Sequence, residues 1–134
     1  MHTAIRNTRF AALAAAFLLA ACGARTPEDA AKRFVEKSYT GDADAVIAMI
    51  YLPEQDKAGI EDILHGKVKA GVAKQKEYAD SKGGLAEITA DPAETSPDDA
   101  NRASVKVHMR FKQGETNTDR VRLIKDGSDW KVRL

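Results

Sequence analysis

The chain contains one cysteine, Cys22, and it is the strongest nucleophile present. A lone cysteine cannot close an intramolecular disulfide or build a Cys-based zinc site. His65 and His108 lie far apart and lack a partner at metal-ligand spacing, so no metal site is expected. There is no glycine-rich phosphate loop, nucleophile elbow or Walker pattern. No residue is therefore expected to be catalytic, and no cofactor is implied. The groups that do form a pattern are bases. Lys106, His108, Arg110, Arg120, Arg122, Lys131 and Arg133 alternate with apolar residues. On a strand that spacing puts them all on one face, where they could meet an anion.

The charge distribution sharpens this pattern. The chain carries 21 Lys+Arg against 20 Asp+Glu, a formal charge of +1. From residue 22 to 101 there are 10 basic and 16 acidic groups; from 102 to 134 there are 9 and 4. The patch would suit a lipid headgroup, an envelope polymer or an acidic partner protein. The plainer reading is that it keeps an exposed sheet soluble and its edges unpaired. The acidic loop Asp91 to Asp99 could also fold over the patch and neutralise it. The overall balance gives no reason to expect a nucleic-acid partner. With 43% hydrophobic residues, a disordered tail, a collagen-like repeat and a polytopic membrane protein are excluded.

Arg6 and Arg9 precede an apolar run from Phe10 to Ala21. At ~1.5 Å per residue the run covers about 18 Å, too short for a ~30 Å hydrocarbon core. A positive start, a short apolar segment and small residues form the layout of a secretory signal. Leu19-Ala20-Ala21-Cys22 resembles the bacterial lipobox. That resemblance implies cleavage before Cys22 and a thioether-linked diacylglycerol on its sulfur. Two or more acyl chains anchor stably. The organisation expected is a signal peptide over 1–21, a lipidated tether over 22–26 and one domain over 27–134. Membrane lipid is then a partner through acylated Cys22, and the domain sits in the periplasm. Gly23 in place of Asp resembles an outer-membrane destination.

The elements that must carry the bases can be read in order. Thr26 can cap a helix, Pro27 suits its first position, and Glu28 and Asp29 favour its positive end. Gly41 ends it. Asp42 can cap a second helix, which stops at Pro53. A third is expected from about Glu54 to Ser81, with an apolar stripe of Ile60, Ile63, Leu64, Val68 and Val72, ending at Gly83-Gly84. Gly66 and Gly71 weaken it by about 1 kcal/mol each relative to Ala, or permit close packing on a sheet. The period then becomes two. Strands are expected over Leu85 to about Asp91, Ala103–Phe111, around Val121–Leu123 and Trp130–Leu134, with Asp91–Asn101 a polar loop. A five-residue loop over 113–117 would set Arg110 opposite Arg120, His108 opposite Arg122, Met109 opposite Val121 and Val107 opposite Leu123. A four-residue loop over 126–129 would set Arg122 opposite Arg133 and Leu123 opposite Val132. The fold class is α+β, with three N-terminal helices on one face of a curved four-stranded antiparallel sheet.

This order resembles the nuclear-transport-factor-2-like, or cystatin-like, superfamily, a sheet curved into a cone around a helix. It is similar more narrowly to small bacterial lipoproteins with a lumazine-binding-like domain of unknown function. The matching residues are Thr26-Pro27-Glu28-Asp29-Ala30-Ala31 with Phe34, Gly41-Asp42, Lys82-Gly83-Gly84-Leu85, Ala103 to Val107, Asp126-Gly127 and Trp130-Lys131-Val132. Some cone-fold enzymes place Asp, Tyr or His inside. Here the residues expected inside are Val105, Val107, Met109, Phe111, Val121, Leu123, Trp130, Val132 and Leu134, none able to move a proton at neutral pH. Tyr39, Tyr51 and Tyr78 are expected at the core rim. The expected role is a non-enzymatic envelope module for binding or assembly. The alternative is a carrier or sensor for a small apolar or aromatic molecule in the cone. An isomerase or dehydratase ranks below both, and an immunity or inhibitor role is untested by any residue.

Overall fold

A computed structural model describes residues 24–134. The signal segment, with Leu19, Ala20, Ala21 and Cys22, lies outside the described residues. Helices α1 (Pro27–Thr40), α2 (Ala43–Met49) and α3 (Lys57–Ser81) are followed by strands β1 (Leu85–Ala90), β2 (Glu94–Thr95), β3 (Arg102–Phe111), β4 (Thr116–Asp126) and β5 (Asp129–Val132). The helices pack on one face of a curled antiparallel sheet ordered β1-β3-β4-β5. The fold class is thus the one expected. The short β2 lies inside the stretch expected as loop and pairs with Ser104 and Ala103 of β3.

The helix boundaries follow local chemistry. Thr26 Oγ1 accepts the Asp29 amide at 3.1 Å, and Pro27 opens α1. Gly41 closes it at φ 85°, where a side chain would be strained and would run into Lys76. Asp42 sends its amide back to the Lys37 carbonyl (3.0 Å) and takes the Ala45 amide on Oδ1 (3.2 Å). It therefore ends one helix and begins the next. Gly83 and Gly84, both at positive φ, turn the chain out of α3 into β1.

The sheet's inner face forms the core. Val105, Val107, Met109, Phe111, Val121, Leu123 and Val132 are buried against Ala30, Ala31, Val35 and Tyr39 of α1. Trp130 is partly buried beside them. Leu134 is instead 72% exposed, because it lies past the last ladder pair. The α3 stripe is also only half realised. Val72 is buried with Val46 and Ile50 of the α2 region, and Leu64 and Val68 pack partly against them. Ile60 and Ile63 remain exposed, since the first turns of α3 extend past the seven-residue α2. A Cβ at Gly66 or Gly71 would meet nothing within 4 Å, so neither glycine serves close packing.

The β3–β4 register differs from the expected one. The loop is three residues, Lys112 to Gly114, closed by Gly114 N–H to Phe111 O (2.9 Å) and Phe111 N–H to Glu115 O (2.8 Å). Gly114 at φ 100° supplies the left-handed position that such loops require. Lys106 therefore faces Arg120, Ser104 faces Arg122, Val105 faces Val121 and Ala103 faces Leu123. Arg110 meets Thr116 and His108 meets Thr118. The displacement is an even number of residues, so no side chain changes face. The β4–β5 pairing is as expected: Leu123 faces Val132, and Arg133 N–H donates to Arg122 O at 2.8 Å. The turn is tighter than the expected loop, because Asp126 and Asp129 already pair.

Candidate functional site

The sheet's outer face carries all seven bases of the predicted patch. β3 contributes Lys106, His108 and Arg110, β4 contributes Arg120 and Arg122, and Lys131 and Arg133 come from β5 and its end. The acidic sheet edge lies over part of them. His108 Nε2 is 3.0 Å from Asp91, Arg110 is 3.8 Å from Glu87, and Arg120 is 3.6 Å from Glu94. Lys131 is 3.9 Å from Asp126 on the neighbouring strand. These pairs are exposed and stabilise by ~1 kcal/mol or less each. Their main effect is to lower the local charge. Lys106, Arg122 and Arg133 have no carboxylate within 4.0 Å among the described residues.

The basic face is therefore divided. His108, Arg110, Arg120 and Lys131 each lie beside a carboxylate; Lys106, Arg122 and Arg133 do not. An open groove of about 350 Å³ lies beside Arg122 and Arg133, lined also by Glu94, Thr95, Ser96, Arg102 and Ser104 among others. Arg120 Nη1 donates to Ser104 Oγ at 3.1 Å, leaving that oxygen's proton free to donate. Arg122 and Arg133 are cross-strand neighbours, an arrangement of like charges that costs a few tenths of a kcal/mol. The Nε of Arg133 is buried and has no hydrogen-bond partner. An unsatisfied buried donor costs ~1–3 kcal/mol, more when charged.

The inner face carries a group that the sequence reading did not place there. Asp119 follows the phase of Val121 and Leu123, so it points inward at the mouth of the cone. Tyr39, expected at the rim, is buried, and its hydroxyl donates to Asp119 Oδ2 at 3.3 Å. Burial pushes the Tyr39 phenol up to about 12, and the negative charge of Asp119 and the hydrogen bond to it add to the shift. The ring meets Phe111 edge-on at 5.9 Å, and Tyr78 meets Phe111 at 5.5 Å. The interior behind the sheet is filled by this cluster and the apolar core. A recess of about 420 Å³ remains at the mouth, lined by Ser38, Gln75, Asp119 and Arg133 among others. Ser38 Oγ is committed to the Phe34 carbonyl at 2.8 Å. The signal for Asp119 was the period-two pattern carried one step before Val121.

Two other constellations bring a histidine beside a carboxylate. His108 bridges Asp91 (Nε2, 3.0 Å) and Thr118 (Nδ1 to Oγ1, 2.9 Å), a carboxylate–imidazole–hydroxyl line on the open sheet surface. His65 lies 3.9 Å from Glu61, one helical turn away. No group of His, Cys, Asp or Glu that could hold a metal ion occurs among the described residues. No described helix is long and apolar enough to cross a membrane.

The family described as a domain of unknown function, DUF4878, matches residues 20–133. Among solved structures, a Campylobacter jejuni protein named provisionally as an NTF2-like transpeptidase is similar, with a TM-score of 0.74 at 27% identity. The likeness covers 81% of this chain and 98% of that one. The fold is thus NTF2-like, the superfamily its element order resembles. No curated protein matches the chain.

Proposed function

The chain belongs to the DUF4878 family of domains of unknown function, and we propose that it is a lipid-anchored, non-enzymatic binding module of the bacterial envelope. Acylated Cys22 holds it to the membrane, with the domain in the periplasm and the outer membrane as its destination. On this reading it falls with the small lipoproteins whose domain is lumazine-binding-like. The support for anchoring is the leader: Arg6 and Arg9, the Phe10–Ala21 run, and the chain's sole cysteine after Leu19-Ala20-Ala21. The observation that carries the binding function is the unneutralised half of the outer face, where Arg122 and Arg133 sit side by side without a carboxylate partner. Its partner is an anionic envelope component or an acidic envelope protein. The recess of about 420 Å³ on the inner side mixes Phe34, Val35 and Val121 with Asp119, Arg120, Arg122 and Arg133, a lining too charged to favour carriage of a small apolar molecule over surface binding.

One experiment tests both halves. In cells fed labelled palmitate, the full chain takes up label and Cys22→Ser does not. Equal labelling of the Ser variant removes the anchor. Charge reversal at Arg120, Arg122 and Arg133 is expected to cut binding to isolated envelope material severely. Unchanged binding by that variant removes the face.

The Asp91–His108–Thr118 line supports a second reading, acyl transfer, the class of activity in the Campylobacter protein's name. In it Thr118 is the nucleophile, His108 the base and Asp91 the group orienting it. The line is open to water, with His108 and Asp91 side chains 43% and 51% exposed, which weakens each bond in it. An activity-based probe for acyl-transfer nucleophiles is expected to leave the protein unlabelled. Labelling that disappears in Thr118→Ala would establish the transferase instead.

A further inference from the structure

We propose that the groove between β2 and the end of β5 is a seat for a phosphoryl group. The proposal deepens the reading of the basic face as a binding surface and rests on it. Six side chains line the groove with donors: Arg102, Arg122 and Arg133, and the hydroxyls of Thr95, Ser96 and Ser104. Two of the guanidiniums are unpaired neighbours, held by the Arg133 N–H to Arg122 O bond that fixes their strands. The Arg133 Nε is buried and has no acceptor in the protein, so this guanidinium carries unmet hydrogen-bonding capacity as it stands. Two acids border the groove, Glu94 beside Arg120 at 3.6 Å and Asp99 beside Arg102 at 3.5 Å, so the anion's charge is met chiefly by Arg122 and Arg133.

The donor set selects the ligand. Paired guanidiniums suit both carboxylates and phosphates. A carboxylate offers two oxygens, whereas a phosphoryl group offers three or four, spread in three dimensions. Arginines from β3, β4 and the end of β5, with hydroxyls from β2, the residue after it and β3, match the second arrangement. At about 350 Å³ the groove is larger than a phosphate ion alone, leaving room for the organic part of an ester. The location fits a membrane as one source of that ester. The Ala24 carbonyl accepts the Trp130 amide at 3.3 Å, so the chain enters the domain beside β5. Arg133 is three residues along from Trp130, about 10 Å at strand rise. Cys22 lies only two residues before Ala24.

The test uses the full-length protein in a non-ionic detergent, titrated calorimetrically with inorganic phosphate, glycerol phosphate and acetate. A further arm adds phosphatidylglycerol in mixed micelles. Glycerol phosphate is expected to bind, phosphate to compete with it, and acetate to do neither. Arg122→Gln with Arg133→Gln is expected to weaken binding about tenfold or more. Arg122→Lys, which keeps the charge but loses the fork, should weaken it part-way. Arg110→Gln, outside the groove, should leave it unchanged. Tighter binding of the micellar lipid than of glycerol phosphate identifies a headgroup; the reverse identifies a soluble ester. Acetate binding as tightly as phosphate overturns the proposal. So does an equal loss in Arg110→Gln, which would mean diffuse charge. If charge reversal abolishes capture of envelope material while no phosphoryl probe binds, the groove assignment fails and the basic-face reading stands. If reversal changes nothing, both fail.

Discussion

At the scale of single residues the least expected feature is the Tyr39–Asp119 pair. Asp119 sits two positions before Val121, and on a strand that is the same face. The sequence shows the alternation clearly, and a loop over 113–117 already sets Asp119 in the strand on the inward phase; an acid is not an expected member of an apolar face, and its residue type is what hid it. The hairpin that closes at Gly114 pairs Asp119 with Val107 and not Phe111, which leaves its inward direction unchanged. Its consequence can be measured in alkali. The Tyr39 phenol, pushed up to about 12 by burial and then by Asp119, holds its proton in the fold over a range where the unfolded chain loses it. The stability contribution is complete below pH 10 and is lost as the pH climbs from 10 to 12. Denaturant titrations of wild type and Tyr39→Phe should thus differ by a constant below pH 10. The difference should then shift against wild type by on the order of 2 kcal/mol by pH 12. A difference that stays flat to pH 12 would show that the phenol is not held in this way.

At the scale of elements, legibility tracks how local the cause is. Thr26, Pro27, Gly41, Asp42 and the Gly83-Gly84 pair act within a few residues, and each stands where the sequence put it. The apolar stripe of α3 depends on a neighbour, and α2 is too short to cover Ile60 and Ile63. The β3–β4 register depended on where one turn closes, and two loop lengths were compatible with the same faces. The second hairpin had less freedom, because Asp126-Gly127 sits between strands only a few residues apart. Gly66 and Gly71 give the element-scale prediction. Both lie in an α-helix, both are exposed, and neither Cβ would meet an atom. Alanine at either should raise the unfolding free energy by about 1 kcal/mol, from reduced backbone entropy in the unfolded chain and better helix propensity. The double variant should show the sum of the two in chemical denaturation. A loss of stability at either site would mean that the glycine serves a contact absent from the isolated fold.

At the scale of the whole molecule, the acidic first part and the basic last part of the chain are brought together across one sheet. The sequence showed the segregation and raised the folding-over of residues 91–99 as one outcome. It could not say how far the acids would reach, since that depends on β1 and β2 lying side by side along β3. They reach His108, Arg110 and Arg120, and among the described residues they stop short of Arg122 and Arg133. The edge thus confines the positive field to one end of the sheet. If that is its role, neutralising it should widen the attraction without unfolding the protein. Glu87→Gln, Asp91→Asn and Glu94→Gln together remove three exposed charges, so stability should fall by only ~1 kcal/mol per pair or less. Binding to anionic micelles should tighten at low salt. The gain should fade as the screening length shrinks from ~30 Å at 0.01 M to ~8 Å at physiological salt, because exposed charges are involved. Wild type, engaging the groove through the partly buried Arg133, should lose less over the same range. Equal salt slopes in the two proteins would place the edge's carboxylates outside the binding field and leave them the sole task of shielding the open edge of β1 and β2.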